Sequence, residues 1–307
     1  MKAAVITAHG GVEVFAYTDV VAPVLADDAV LVDIHAASVN AADWKVRTGA
    51  SGTIESFPYI LGRDFSGVVA ATGTAVDDLH VGDPVFGVLD RGQEGAYAEQ
   101  VCVKATLVAH KPDWLSHAQA AAIALIGLTA TTSIEETLAL KAWETILIQG
   151  AAGGVAGFAL QLAKHLGAHV IATAGPDNVA AVTALGADQV IDYSAQDFTA
   201  IGPVCDAVFE TVGGAVATRS FRVLKPGGRA AFIGSGPNAP EAPDNSVRAL
   251  RPMVGRGRSQ MERILDLLKT GAVHLPEITS FPLADVAKAH RISEGRHLRG
   301  KLVLTMR

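Results

Sequence analysis

The chain has 307 residues, half of them hydrophobic, with a formal net charge of −6 at pH 7. That length suits about two domains, each with its own core, and the acidic balance gives no basic footprint for nucleic acid. No run of 18 or more apolar residues is present, and the longest candidate, 118–128, is too short to span a bilayer.

Cys102 and Cys205 stand alone, with neither zinc-type spacing nor a disulfide framework. The N-terminus, Met1-Lys2-Ala3-Ala4-Val5-Ile6, reads as a strand rather than a signal peptide. These features predict a cytoplasmic protein of a reducing compartment, with neither nucleic acid nor membrane as partner.

The first third carries short strands punctuated by glycine and proline. Residues 30–36 alternate weakly, 65–71 are apolar around a glycine, and Gly82-Asp83-Pro84 turns into 85–89; 96–103 and 107–110 continue the pattern. Such spacing predicts a β-rich, barrel-like domain. Around 115–140 the texture changes to alanine-rich helix, read as a hinge.

From 144 onward strands and helices alternate. Apolar runs at 146–148, 170–171, 189–191, 207–209 and 229–233 predict five strands of a parallel doubly wound sheet. Residues 236–252, rich in proline, glycine and polar side chains, read as a loop. A helix is expected over 260–269, with Met261, Ile264, Leu265 and Leu268 on one face. A helix at 284–293 and a strand at 301–304 return to the texture of the first domain. The expected division is 1–117 with 259–307 as a substrate domain and 118–258 as a dinucleotide-binding domain.

The most informative stretch is Gln149-Gly150-Ala151-Ala152-Gly153-Gly154-Val155-Ala156. It lies between the apolar run 145–148 and the amphipathic run 158–166, and a further strand follows at 168–173. That is a βαβ unit with a glycine turn, the setting of a dinucleotide loop. Gly153 and Gly154, flanked by Ala152 and Val155, let backbone approach a pyrophosphate whose charge a helix N-terminus favours. Ala151 and Ala156 occupy the first and last glycine slots of the usual pattern. An ordinary tight βα turn is the alternative.

Several segments in order are similar to the medium-chain dehydrogenase/reductases. They are Asn40-Ala41-Ala42-Asp43-Trp44-Lys45-Val46-Arg47-Thr48-Gly49, Leu61-Gly62-Arg63-Asp64-Phe65-Ser66-Gly67, Gly82-Asp83-Pro84-Val85-Phe86-Gly87, Gly127-Leu128-Thr129-Ala130, the glycine turn, Glu210-Thr211-Val212-Gly213-Gly214 and Leu224-Lys225-Pro226-Gly227-Gly228. The resemblance implies an α/β fold, a Rossmann doubly wound parallel sheet plus a β-rich GroES-like partial barrel, and by analogy a homodimer. The branch it resembles is that of the zinc-independent quinone oxidoreductases and enone reductases. Asn40 stands where zinc members place a cysteine, and Arg63-Asp64 where they place a His-Glu pair. A further catalytic cysteine is missing near Ile126-Gly127, so no metal is expected.

Without a Lewis acid nothing lowers an alcohol's pKa, which shifts the expected substrate to a quinone or an α,β-unsaturated carbonyl. The expectation is an NADPH-dependent oxidoreductase whose substrate lies in a cleft between the domains. A zinc-free alcohol or aldehyde oxidoreductase using a relay through Tyr59 or Lys45, and a non-catalytic dinucleotide-binding redox sensor, are the alternatives.

Asn40 is the first candidate to face the substrate carbonyl, donating to an oxygen that gains charge; capping a helix over 41–47 is its other reading. Asp43, at N3 of that helix, reads as a cap. Lys45 and Arg47 read as exposed charges, although related enone reductases carry a lysine near the substrate where Lys45 stands. Tyr59 could stack on a flat substrate, donate a proton, or simply cover the pocket.

Thr129 resembles a residue that hydrogen-bonds the nicotinamide carboxamide from a helix start, compatible with an N-cap. Thr211 and Val212, then Ile233, Gly234 and Ser235, follow the ends of parallel strands, where such sheets bind ligands, and are expected to flank the nicotinamide ribose. An NAD enzyme would show an acid near Thr173-Ala174-Gly175 for the ribose diol. None is there, which favours NADPH, with NADH as the alternative. Asn178 stands where NADP-using relatives often carry a lysine, and Tyr193 resembles a tyrosine that touches the 2′-phosphate.

Overall fold

The computed structural model describes residues 1–236, 238–295 and 298–306; of the expected loop 236–252, Pro237 lies outside the described residues. Two compact units are present: Met1–Leu125 with Arg256–Arg263 and Glu277–Arg307, and Ile126–Gly255 with Ile264–Pro276.

The first unit is built on a seven-stranded sheet. Its path runs Ile278–Pro282, Lys301–Thr305, Ala29–Val39, Asp64–Thr72, Pro84–Val88 and Val108–His110, while Gln100–Lys104 also pairs with Ala29–Val39. Every pairing is antiparallel except that of Ile278–Pro282 with Lys301–Thr305. Antiparallel strands with one buried face alternate in to out, and Val30, Val32 and Ile34 accordingly enter one core with Phe65, Val69, Val85, Leu302 and Leu304. A smaller sheet, Phe15–Asp19, Lys2–Ile6 and Tyr59–Ile60, places Tyr59 opposite Ile6. The helix Ala41–Arg47 follows the longest strand directly.

The second unit holds a six-stranded, wholly parallel sheet in the order Gln189–Asp192, His169–Ala174, Thr145–Ile148, Cys205–Glu210, Leu224–Phe232, Arg248–Leu250. In chain order this is 3-2-1-4-5-6, the doubly wound arrangement whose direction reverses beside its first strand. Five strands were legible from apolar runs. The sixth, Arg248–Leu250, falls in the stretch read as loop, because three exposed or half-buried residues carry no periodicity.

The unit boundaries also differ from those read in the sequence. The helix Arg258–Lys269 is continuous through residue 259, and 264–276 pack into the second unit. There Ile264 lies against Gly127, where a Cβ would stand 2.6 Å from its Cδ1, and the His274 backbone N–H donates to Gln161 Oε1 at 2.8 Å. The alanine-rich segment is a helix, His117–Thr131, running into a π-helical stretch, Thr132–Thr137. By length and composition the 21-residue stretch could cross a membrane, but 78% of its 18-residue apolar window is buried within the protein, as in a core helix.

Candidate active site

The glycine turn of the second unit is held by its own hydrogen bonds. Gly150 adopts φ +69°, a conformation L side chains rarely take, so it and not Ala151 is the residue that must be glycine for the chain to turn. Its N–H donates to Thr173 Oγ1 at 3.0 Å, and that hydroxyl donates to Gln149 Oε1 at 2.7 Å. Thr211 Oγ1 donates to the Gln149 carbonyl at 2.8 Å, and the Ala151 N–H reaches the Thr173 carbonyl at 2.9 Å. Thr173, expected to touch cofactor, is buried with its hydroxyl spent on the turn. It positions the loop.

Gly153 is the N-cap of the helix Gly154–His165, whose first turn therefore presents backbone N–H groups. A Cβ on Gly153 would meet only the Gly150 carbonyl oxygen, at 3.4 Å. The space above that helix end is open, and Ala152, Gly153, Gly154 and Val155 are all half-buried along it.

On the other side of the reversal point the chain leaves Cys205–Glu210 through Thr211, Val212 and Gly213. Glu210 is buried, and its Oε1 accepts from the N–H groups of Val212 at 2.6 Å and Gly213 at 2.7 Å. Ile233 N–H donates to the Glu210 carbonyl, so Ile233, Gly234 and Ser235 run beside this loop. Tyr193, half exposed, lies across Gly175, where a Cβ would stand 2.8 Å from its Oη. Asn178 sits in the short 3₁₀ turn that follows Gly175.

Thr129 is not at a helix start. It lies thirteen residues into His117–Thr131, is buried, and its carbonyl accepts from Ser133 Oγ at 2.6 Å. The N-cap reading is corrected by the length of that helix, since alanine-rich sequence propagates through the threonine without a break.

In the first unit the residues around Asn40 form a buried polar cluster. Asn40 caps Ala41–Arg47, and Asp43 Oδ2 accepts from its backbone N–H at 2.8 Å. The Asn40 side chain bridges two buried charges, donating to Asp64 Oδ1 at 3.1 Å and accepting from Lys301 Nζ at 2.6 Å. Its amide is thus committed within the cluster. Asp64 also accepts from Ser38 Oγ at 2.7 Å, and Lys301 donates to the Val39 carbonyl at 2.7 Å. Burial raises the Asp64 carboxyl and lowers the Lys301 ammonium, each shift moderated by the other charge.

Asp43 Oδ2 accepts a second bond, from Tyr97 Oη at 2.7 Å, and the Tyr97 oxygen lies 3.3 Å from His290 Nε2. Burial raises the Asp43 carboxyl, opposed first by Arg63. Arg63 stands 3.7 Å from Asp43 Oδ1 and donates to Glu94 Oε1 from Nε at 3.0 Å and Nη2 at 2.8 Å. Burial, then Asp43, pushes Glu94 up to about 7.

Arg47 is fully buried, which corrects its reading as exposed charge: its Nη2 donates to Glu294 Oε1 at 2.6 Å, and the guanidinium lies 5.8 Å from the Phe15 ring. Lys45 is half-buried, 5.8 Å from the Trp44 ring. Tyr59 is half-buried too, and burial, with Glu94, raises its phenol, so it stays protonated and able to donate. Glu94, Asp64, Lys301 and Tyr97 carried no site role in the sequence. Glu94 sits in a polar loop with no periodicity, and Lys301 in an apolar strand; only their meeting in space marks them.

Comparison with known proteins agrees with these features. Residues 26–113 match the model for the alcohol dehydrogenase GroES-like domain, and 185–304 the model for a zinc-binding dehydrogenase. An NADPH-dependent alkenal/one oxidoreductase of Arabidopsis thaliana is 32% identical, covering 99% of this chain and 79% of the relative. The quinone oxidoreductase of Coxiella burnetii superposes with a TM-score of 0.93 at 33% identity, over 100% of this chain and 99% of that one. The Escherichia coli quinone oxidoreductase, solved with NADPH, gives a TM-score of 0.90 at 27% identity, over 99% and 100%. The chain belongs to the medium-chain dehydrogenase/reductase family. Proteins named quinone and alkenal/one oxidoreductases are among its relatives.

Proposed function

We propose that the protein is an NADPH-dependent, zinc-independent reductase of quinones or α,β-unsaturated carbonyls. The observation that carries this reading is the open glycine turn at the reversal point of a 3-2-1-4-5-6 sheet. The pocket chemistry fits a dinucleotide: a Cβ-free approach at Gly153, helix N–H groups beyond it, and two flanking loops. Ala152, Gly153, Gly154 and Val155 would hold the pyrophosphate, Thr211, Val212 and Ile233 to Ser235 the ribose, and Tyr193 and Asn178 the 2′-phosphate. The cofactor, when bound, supplies a hydride. The second unit is accordingly the dinucleotide-binding domain and the first the substrate domain.

What the chain's own residues must do is meet the oxygen that gains charge. Asn40 spends its amide on Asp64 and Lys301, so Tyr59 and Lys45 are the candidate donors. Zinc independence is supported by the donor set. Among the described residues no group of three or more His, Cys, Asp or Glu is placed to hold a metal ion, and Arg63 puts a guanidinium, which cannot ligate, beside Asp43 and Glu94.

The test is NADPH oxidation against a panel of quinones and enones, with simple alcohols plus NADP+ as the counter-assay, each with and without chelator. Turnover of the panel that survives chelation is expected. Turnover of alcohols alone, or loss on removal of one zinc per chain, overturns the reading.

A further inference from the structure

The strand Ala29–Val39 and the helix His117–Thr131 bring two histidines together in the first unit. The ring centres of His35 and His117 lie 4.4 Å apart, and their planes cross at 47°. Both residues are half-buried. Neither belongs to the glycine turn or to the polar cluster around Asn40.

His35 is aimed by an irregularity of its strand. In the pairing with Asp64–Thr72, Ile34 sits opposite Gly67 and Ala36 opposite Ser66, so His35 is the extra residue of a β-bulge. A bulge turns one side chain out of the regular alternation. His117 is fixed by a reciprocal cap. The Gln119 N–H donates to Ser116 Oγ at 3.2 Å and the Ser116 N–H to Gln119 Oε1 at 2.9 Å, which makes His117 the first residue of its helix.

Hydrogen bonding then decides which nitrogen of His117 is available. Ser66 is buried, and its hydroxyl donates to the Val85 carbonyl at 2.8 Å. With its one proton spent there, Ser66 can only accept from His117 Nδ1, 2.8 Å away. The proton of the neutral imidazole is thereby held on Nδ1, and Nε2 carries the lone pair. No hydrogen bond among the described residues occupies that Nε2, and it is not closed off from solvent. Burial, followed by His35 and Lys111, lowers His117 to about 4, so at pH 7 a metal need displace no proton from it. Metal-binding imidazoles are held in this way, one nitrogen donating to a fixed acceptor and the other left open. Lys111, the nearby cation, is turned onto the Pro112 and Leu115 carbonyls at 3.1 and 2.8 Å.

The separation selects the metal. With metal–nitrogen bonds of about 2.0–2.1 Å, a metal stands roughly 3.2 Å from the centre of each ring that binds it. Two such rings have centres about 4.5 Å apart when they bind at a right angle, and about 5.2 Å apart at the tetrahedral angle. The observed 4.4 Å matches the right angle of copper(II) and nickel(II), whereas zinc favours the tetrahedral one. The 47° tilt opens the pair into a wedge; stacked face to face, the rings would carry their nitrogens in parallel.

We propose that His35 and His117 form an exchangeable two-histidine site for a divalent transition metal of the copper(II) or nickel(II) kind, with water completing its shell. Bound there, the metal ties the first turn of the helix His117–Thr131 to the strand Ala29–Val39. The site is separate from the reductase reading, whose chemistry uses neither residue.

The test is calorimetric titration of the chelator-treated full chain with nickel(II) and zinc(II) chloride, for wild type, His35→Phe and His117→Phe. Phenylalanine keeps an aromatic ring in the pair and removes its nitrogens. One nickel per chain is expected in wild type, bound roughly tenfold or more tightly than in either variant. Wild type loaded with one equivalent of copper(II) should show two imidazoles in its electron spin-echo spectrum, a measurement that needs no variant to fold. Unchanged nickel affinity in either variant, zinc bound more tightly than nickel, or a single imidazole on copper overturns the proposal. None of these outcomes bears on the reductase reading, which NADPH oxidation in chelator tests on its own.

Discussion

Gly213 and Gly234 meet backbone to backbone at the ends of adjacent parallel strands. A Cβ on Gly213 would stand 2.5 Å from the Gly234 carbonyl oxygen, and one on Gly234 would stand 2.6 Å from the Gly213 nitrogen. Gly213 also has φ +85°. Neither contact can be relieved by a side-chain rotation, because both partners are main chain. Gly213→Ala should therefore cost about 2–4 kcal/mol, from left-handed strain plus overpacking, and weaken dinucleotide binding with it. A melting temperature equal to wild type would show that the two loops part without cost.

Gly153 is a glycine of a different kind. A side chain there has room in the protein, with one contact at 3.4 Å, and fills the space left for the pyrophosphate. Gly153→Val should fold normally and lose NADPH affinity by a hundredfold or more. Calorimetry on the variant decides it, and undiminished NADPH binding would put the phosphates elsewhere.

The two units differ in how much of them could be read in advance. A parallel sheet covered on both faces is written as apolar runs separated by helices, so five strands were legible, and the ordered segments from Asn40 to Gly228 carried the family. The sixth strand was too short and polar to show. Asp43 was legible as a cap because capping is local, within three residues. The role of Asn40 was not, since it depends on Asp64 and Lys301, which lie 24 and 261 residues away. Arg47 was misread for the same reason: its partner Glu294 is 247 residues distant. Charges buried by long-range pairing leave no periodic trace.

Asn40 offers a direct check on that correction. Asn40→Ala would strip one partner each from the buried Asp64 carboxylate and Lys301 ammonium. Hydrogen bonds to charged groups contribute about 1.5–3 kcal/mol each, so denaturant unfolding should show a loss of roughly 3–6 kcal/mol. Unchanged stability with reduced kcat would restore Asn40 to the substrate.

Cofactor choice turns on Gly175 and Tyr193. Gly175→Asp adds a carboxylate for the ribose diol and repels a 2′-phosphate, a contact of about 1–3 kcal/mol. The ratio of kcat/KM for NADPH over NADH should fall roughly tenfold or more. Any side chain at 175 also pushes Tyr193, whose Oη would lie 2.8 Å from the new Cβ. Gly175→Ala is the control and should move the ratio far less. Equal shifts in both variants would mean that Tyr193, and not the missing acid, sets the preference.

His290 sets a pH limit on stability. It is fully buried against Phe15 and Tyr97, and burial, with the nearby Arg47, lowers it to about 3. The unfolded chain protonates this imidazole below about 6.5 while the folded one does not. The unfolded state thus binds more protons between about 6.5 and 3, and stability is lost as pH falls through that window. Glu94, raised to about 7, works in the opposite sense between 7 and its unfolded value, so the wild-type curve alone mixes the two. Comparison with His290→Gln removes the shared contribution. Relative to wild type, the variant should gain up to about 1.4 kcal/mol for each pH unit below 6.5. Urea unfolding at pH 7, 6 and 5 measures this, and a gap between the two proteins that stays constant would show that His290 takes up its proton as readily in the folded state as in the unfolded chain.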